Sequence, residues 1–496
     1  MNWLGWKKRC RQLETENTQL DAANARLEAK TAQLELRLKA AEAKNQELLE
    51  KLAVATKNSR NSSKRPSSDI VKPPLPKLPR GKRRKIGGQP GHPKQERKPF
   101  SPEQIDRTVG YELQVCPHHP EHRLKLDPDQ KKIIQQVELV ENPFVVTEHV
   151  AQGYWCEGCQ CYHFAEFPTE VSNGGLCGPR LTSLVTYLKG KLHASYSGIR
   201  DFFGDVLGVQ VSRGYLVKLC QKATRAFSPP CEELLLLLPE EKNLNVDETG
   251  HKENGKRLWI WCFRAPTFVV FKIASSRGSE VLLDILGQDF SGTLGADFWG
   301  AYQKYARLCS AQIQFCLAHL IREVKFLCDY PDPTVQRYGK ALLAELKGLF
   351  QILHRRHELS ATQCVLELRE AEARIYDAAL EPILQPRRYP NGKVHRLIDN
   401  LARRFSLHGE GYFRFIDNPE IQPTNNSAEQ AERFVVMDRH MTQGTRSKRG
   451  REFCERLWTI MATCSLQKRS AYHWMHQAIS AYFKGKPIPS LLLDSS

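Results

Sequence analysis

Residues 242–302 read "KNLNVDETGHKENGKRLWIWCFRAPTFVVFKIASSRGSEVLLDILGQDFSGTLGADFWGAY". The run "LNVDET" is a short apolar strand that carries Asp247 near its end. "RLWIWCFRA" and "TFVVFKIA" are β-branched and aromatic runs separated by a turn, which predicts a meander. "EVLLDILGQDF" has helical periodicity, and "GTLGADFWGAY" returns to a short strand ending in Asp297. This order of strands, helix and strand predicts an α/β unit. Aspartates at the ends of two neighbouring strands can converge on a divalent ion, which prefers oxygen ligands. A third acid from a helix would complete a site for two ions about 3.5–4 Å apart, the arrangement that serves in-line phosphodiester displacement. An aspartate taken alone is more often a turn or capping residue than a metal ligand.

The candidate for the third acid lies in "NNSAEQAERFVVMDRH", residues 425–440. Asn425 or Asn426 suits an N-cap, since a short amide oxygen can accept the open N–H groups of a first turn. Glu429 then falls in that turn, one helical step before Arg433, and Glu432 shares its side. By itself the stretch reads as a capped, solvated helix. Between Asp297 and Glu429 stand about 130 residues of mostly helical periodicity, including "YGKALLAELKGLFQILHRRHEL" and "VHRLIDNLARRFSLHGEGYFRF". That is too long for a loop and predicts a helical insertion at about 320–415. Within "CLAHL", Cys316 and His319 have metal-ligand spacing, but their place at a helix start predicts packing and hydrogen-bonding roles. After the glutamate helix, "RHMTQGTRSKRGRE" puts Arg446, Lys448, Arg449 and Arg451 where cations would hold a nucleic-acid backbone.

Upstream, residues 176–238 turn helical. "SGIRDFFGDVLGVQVSRGYLVKLCQKATRAF" reads as a helix, a turn at Gly208, a cap at Ser212 and a second helix with Arg213, Lys218, Lys222 and Arg225, a candidate helix-turn-helix. From 101 to 168, "KKIIQQVELV" and "FVVTEHVAQGYWC" predict short strands. Cys156 and Cys159 form CxxC there, and Cys116 and His119 form CxxH about 36 residues earlier, a spacing that suits a structural zinc ribbon. His118, His122, Cys161 and His163 compete as ligands. The segment 56–100 is rich in proline and basic residues and cannot build a core, so it is expected to be a tether, with Arg83, Arg84 and Lys85 as phosphate contacts.

At the N-terminal end, Leu13, Leu20, Leu27, Leu34 and Leu48 recur every seven residues with Ala41 in the gap. Asn17, Asn24, Thr31, Leu38, Asn45 and Leu52 occupy the other seam position. Heptads sustained over residues 10–52 predict a coiled coil, and seam asparagines favour an in-register parallel pair, hence a homodimer or higher oligomer. A net charge of +18 over 496 residues points to a polyanionic partner, nucleic acid first. No apolar run is long enough to cross a bilayer, and the first residues lack a secretory signal pattern, so a cytoplasmic location is expected. Fifteen scattered cysteines suit reduced thiols.

"VDETG", "GADFWGAY", "FCLAHLIREVK" and "TNNSAEQAERFVVMDRHMTQGTRSKRG" resemble, in that order, successive motifs of the insertion sequence 66 family of bacterial DDE transposases. "KIGGQPGH", the cysteine knuckles and the leucine repeat extend the resemblance over nearly the whole chain. The resemblance implies an RNase H-like catalytic fold with Asp247, Asp297 and Glu429 as the acidic triad and magnesium or manganese as its ion, with Glu432 as the competing third acid and Arg433 placed to orient Glu429 or a DNA phosphate. It also implies cleavage at the element's terminal inverted repeats, strand transfer into target DNA, and accessory proteins of the same element in a bacterial, nucleoid-associated setting. The expected organisation is multi-domain: a coiled coil over 1–55, a basic linker over 56–100, a zinc-ribbon-like β unit over 101–170 and a helical segment over 171–240. An α/β RNase H-like catalytic domain with its helical insertion follows over 241–440, then a basic helical segment over 441–496. Two rivals stay open: an RNase H-like endonuclease that cuts without joining, and a catalytically inert DNA-binding regulator.

Overall fold

The computed structural model describes residues 3–57, 99–111, 117–118, 121–123, 127, 132–140, 143–389 and 394–493. Arg83, Arg84 and Lys85, and also Cys116 and His119, lie outside the described residues. The first element is one long helix, α1 (Trp3–Ala55), with neither glycine nor proline between Cys10 and Leu52. Its seam leucines Leu13, Leu20, Leu27, Leu34 and Leu48 are all at least half exposed along the single chain. Near its end it meets the rest: Glu50 approaches the Tyr330 hydroxyl, Ala53 packs on the main core, and Lys57 Nζ just beyond stands 4.0 Å above the Phe326 ring.

A small hairpin follows, β1 (Gly153–Cys156) paired antiparallel with β2 (Cys161–Phe164), with Trp155 edge-on to Tyr162 across the pair. The strands expected over 132–150 are absent among the described residues there, where Ile133, Ile134, Val137, Val145 and Val146 are exposed. β-branched residues favour strands by packing on a half-buried surface, and this stretch has none to pack on.

The helices α2 (Thr169–Gly174), α3 (Pro179–Lys191), α4 (Tyr196–Asp205), α5 (Arg213–Ala226) and α6 (Ser228–Leu237) come next. Ser195 and Ser212 cap α4 and α5 through their hydroxyls, and Gly208 turns between them at φ +65°. The pair has the shape expected of a helix-turn-helix, but Leu216, Leu219, Cys220 and Ala223 bury much of α5 in the core. Lys222 donates to the carbonyls of Asn173 and Gly174 and is thereby withdrawn from any DNA contact, while Arg213, Lys218 and Arg225 are exposed.

The central sheet holds β3 (Asn243–Glu253), β4 (Lys256–Arg264), β5 (Val269–Ala274), β6 (Thr293–Ala296) and β7 (Gln312–Phe315) in the order β5-β4-β3-β6-β7. The meander β3-β4-β5 is antiparallel, and β6 and β7 run parallel to β3. Connecting β5 to β6 is α7 (Ser279–Leu286), and connecting β6 to β7 is α8 (Gly300–Leu308). The helices α9 (Leu317–Cys328), α10 (Pro333–His354), α11 (Ala361–Leu384) and α12 (Arg396–His408) stand between β7 and α13 (Asn426–Thr442). The chain ends with α14 (Lys448–Leu466) and α15 (Ala471–Phe483).

Two faces of the sheet are covered differently. Trp261, Phe263, Leu244 and Val246 join the large core. Ile260, Cys262, Phe271 and Ile273 pack under Ala428 and Val435 of α13 and Trp458 of α14. The edge strand β5 would expose unpaired N–H groups, and α14 covers them with side chains. Val269, Phe271 and Ile273 N–H donate to Thr463 Oγ1, Thr459 Oγ1 and Glu455 Oε1 at 3.1, 3.0 and 2.7 Å. α14 therefore belongs structurally to the sheet, although it lies in the segment set apart by composition as a basic tail.

Candidate active site

The parallel pairing sets Asn243, Leu244 and Asn245 of β3 opposite Thr293, Leu294 and Gly295 of β6. Asp247, within β3, and Asp297, just past the end of β6, each stand two residues beyond the last paired residues of these adjacent strands, which lie roughly 4.8 Å apart. Asp247 is nearly buried, and its Oδ1 accepts the Glu248 N–H at 3.0 Å; Asp297 is half-buried. Both lie close to Tyr302 of α8. Burial pushes the Tyr302 phenol well above its usual range, and the carboxylates of Glu248, Asp297 and Asp247 push it further.

Glu248 faces the opposite side of β3 and is fully buried. It accepts from the Tyr302 hydroxyl and is paired with Arg277 at 2.5 Å. A buried carboxylate needs such compensation, since an uncompensated one would cost several kcal/mol. Nothing in the sequence pattern marked Glu248, Arg277 or Tyr302, because their partnership spans 29 and 54 residues.

The start of α13 is fastened at the carboxyl end of this strand pair. Asn425 stands at the N-cap position, but its amide does not cap the helix as the sequence suggested. Its Nδ2 donates to the Val246 carbonyl at 2.8 Å, and its Oδ1 accepts from Asn245 Nδ2 at 3.0 Å. Its backbone N–H reaches Cys316 Sγ at 3.1 Å. The amide serves tertiary anchoring instead, because β3 presents a buried carbonyl that needs a donor.

Glu429, one turn on, is about a fifth exposed, and its Oε1 lies 3.1 Å from Arg322 Nη2 and 3.6 Å from His319 Nδ1. Both partners come from α9. Arg433, expected to orient Glu429, is exposed, and the ion pair of Glu429 is made by Arg322, 107 residues away in sequence. Cys316, His319 and Glu429 offer ligand atoms within 4.8 Å of one another, so the two residues assigned to packing adjoin the proposed third acid. Glu432 faces the sheet and is 4% exposed. It lies near Cys262, the β4 partner of Asp247: burial raises the Cys262 thiol far above its usual range, and Glu432 and Asp247 add to the effect.

The loop after α13 is pinned to the tip of the β3-β4 hairpin. Thr445 N–H donates to the Lys252 carbonyl at 2.9 Å, and Asn254 N–H donates back to Thr445 at 3.1 Å. Gly444 has φ +89°, and a Cβ there would stand 2.1 Å from the Lys252 oxygen, so glycine is required by both conformation and approach. The pinned loop sends Arg446, Lys448 and Arg449 to the wall of a cavity of about 860 Å³, together with Lys189, Tyr196 and Phe453. Arg451 instead faces Glu253 at 3.8 Å.

His251 on the hairpin is buried with Nε2 3.1 Å from Thr445 Oγ1. Burial first, then Arg439 and Arg451, lowers its pKa from the ordinary 6.5 to about 4. The unfolded chain takes up a proton near the ordinary value, and the folded chain only near pH 4. The stability from neutral His251 is thus complete above pH 6.5 and is lost as pH falls towards 4. Denaturation midpoints measured across that window should fall for the parent chain and fall less steeply for His251→Asn. Equal slopes would refute the assignment.

In the small hairpin, Cys156, Cys159 and His163 bring ligand atoms within 4.8 Å of one another. The Cys159 amide, the Cys159 side chain and the Gly158 amide draw the Cys156 thiol below its usual range. Amides directed at a sulfur that favours its thiolate, with a second thiol and an imidazole alongside, are a donor set that fits zinc. His163, a rival in the sequence reading, is the third member among the described residues.

Residues 174–452 match the family described as Transposase IS66 family, and residues 10–98 match a family of unknown function. The uncharacterized protein y4hP of Sinorhizobium fredii (strain NBRC 101917 / NGR234) is 21% identical over 377 residues, covering 70% of this chain and 67% of that protein.

Proposed function

Because this chain belongs to the IS66 transposase family, we propose that it is a DDE-type DNA transposase that cuts the ends of its element and joins them to target DNA. The observation that supports the reading is the register of β3 and β6, in which Asp247 and Asp297 each follow the last paired residues by two, with the N-terminus of α13 fastened to Val246 of β3. A mixed five-stranded sheet that bears the acids on adjacent parallel strands is what an RNase H-like nuclease requires.

Asp247, Asp297 and Glu429 offer only oxygen donors, which fits magnesium or manganese. When bound, such ions supply an activated attacking oxygen and a stabilised leaving oxygen. Arg322 and His319 hold the Glu429 carboxylate in place, and Arg446, Lys448 and Arg449 face the DNA backbone, with Arg433 and Arg451 at its margin. Glu429 is preferred to Glu432 because a ligand to a DNA-bound ion must reach the cleft, and Glu432 is buried on the sheet-facing side of α13. The nearness of Glu432 to Cys262 beside Asp247 nonetheless favours it as the second reading.

The hairpin knuckle fits structural zinc. The exposed leucine seam of α1 fits a second copy of this chain, so two protomers would hold two ends. Deleting residues 1–55 should convert a dimer to a monomer in sedimentation while leaving the thermal transition of the remainder in place. A truncated chain that stays dimeric would remove the zipper from the account. Among the described residues no helix is long and apolar enough to cross a membrane. The net charge of +18 supports nucleoid association, and accessory proteins of the same element complete the proposal.

The decisive experiment incubates the full chain with linear DNA bearing the segments that flank its own gene, plus a supercoiled target, with magnesium or with EDTA. Cleavage and joined product with magnesium alone is the expected result. Cleavage without joining would indicate an endonuclease, and binding with neither product would indicate a regulator.

A further inference from the structure

Two residues beyond Asp297 stands Trp299, 41% exposed at the N-terminal end of α8. The Arg277 guanidinium lies 4.1 Å from its ring centre and 5.1 Å from that of Trp259, and Arg257 lies 4.5 Å from Trp259 on its own strand. Arg257, Trp259, Arg277 and Trp299 therefore form a continuous ladder of planar groups from the β3-β4 hairpin to the end of β6. The ladder lies on the α7-α8 side of the sheet, whereas the basic loop at 446–451 reaches the same end from the α13-α14 side.

The charge of Arg277 is already matched by the fully buried Glu248. That pairing leaves Arg277 poorly suited to hold a phosphate. It fixes the guanidinium plane instead, and the plane in turn supports one face of the Trp299 indole. A large aromatic held rigid and exposed is a surface on which a planar ligand stacks with little loss of side-chain entropy, and every nucleobase has such a face. Two residues of extended chain span no more than about 7 Å, so the backbone of Trp299 lies within that reach of the backbone of Asp297.

We propose that Trp299, stiffened by Arg277, is a stacking platform for an unpaired base of the DNA substrate, displaced from the duplex beside the phosphate to be cut. The position beside a scissile phosphate rests on the active-site reading above, and the stacking itself does not. A base held there would keep the strand end open and would make distorted or frayed ends better ligands than intact duplex, since less unstacking energy is spent on them.

The test measures binding by the full chain in EDTA, where no cleavage is needed, with a fluorescent oligothymidylate and with a blunt duplex as probes. Trp299→Ala should weaken oligothymidylate binding about tenfold, the effect of removing one base–aromatic stack. Trp299→Phe should retain most of the affinity, and neither variant should alter blunt-duplex binding by more than about twofold. Single-strand binding should also quench a component of the tryptophan emission that Trp299→Phe lacks. Unchanged oligothymidylate affinity in Trp299→Ala overturns the proposal, as does an equal loss for both probes, which would mark a general backbone effect. Trp299-dependent binding by a chain that never cuts flanking DNA would sink the enzyme reading and leave the platform standing.

Discussion

Asp247→Asn and Asp297→Asn are each expected to lower magnesium-dependent cleavage at least about a thousandfold. Outer-shell partners of a metal cost only about 10–100-fold when lost, and a direct carboxylate ligand contributes more. Asparagine keeps the shape of aspartate but offers one neutral oxygen, so it removes attraction for a cation without opening a cavity. Two carboxylates just beyond the paired residues of adjacent parallel strands repel each other in the absence of an ion. The same variants should therefore melt at the parental temperature or slightly above it in EDTA, and should lose the stabilisation that magnesium gives the parent. A clear fall in melting temperature with cleavage retained would show that the aspartates are structural. Glu429→Gln and Glu432→Gln, measured in parallel, choose the third acid: loss of metal-dependent activity with an unchanged melt identifies it, and loss of stability alone marks the other as packing.

The second large effect concerns the anchor of α13. Asn425→Asp changes one atom, yet it replaces the donor to the buried Val246 carbonyl with an acceptor. A buried acceptor left without its donor costs about 1–3 kcal/mol, and a carboxylate directed at that carbonyl adds desolvation and repulsion. The expected outcome is a loss of roughly 3 kcal/mol in denaturation midpoint analysis, together with a fall in activity of about a hundredfold as the first turn and Glu429 shift from the aspartates. Asn425→Ser, smaller and still able to donate, should fall between. A variant Asn425→Asp as stable and active as the parent would show that α13 is held by its apolar face alone, through Ala428 and Val435.

These expectations draw on two kinds of information. The meander, Asp297 at a strand end, the capped pair α4 and α5 and the helical insertion were legible because each is written within a few residues: alternation, periodicity, a serine before a helix, a glycine at a turn; Asp247 lies inside β3, which runs on to Glu253. The long helix α1 was legible for the same reason. The family resemblance rested on the order of such local words. Where an apolar pattern had no surface to pack on, as over 132–150, the same words misled.

What the sequence by itself determined is therefore most of the elements and the candidates for the acids. Tertiary structure alone decided which residues serve those acids. Asn425 holds a strand rather than capping a helix, Arg322 rather than Arg433 pairs with Glu429, His163 joins the cysteine knuckle, and Arg277 lies between Trp259 and Trp299 while bound to Glu248. The physical reason is the demand of buried polar groups. A carbonyl or carboxylate sealed from water must find a donor among whatever side chains the fold brings near, and those lie 29 to 180 residues away in sequence, beyond any local pattern.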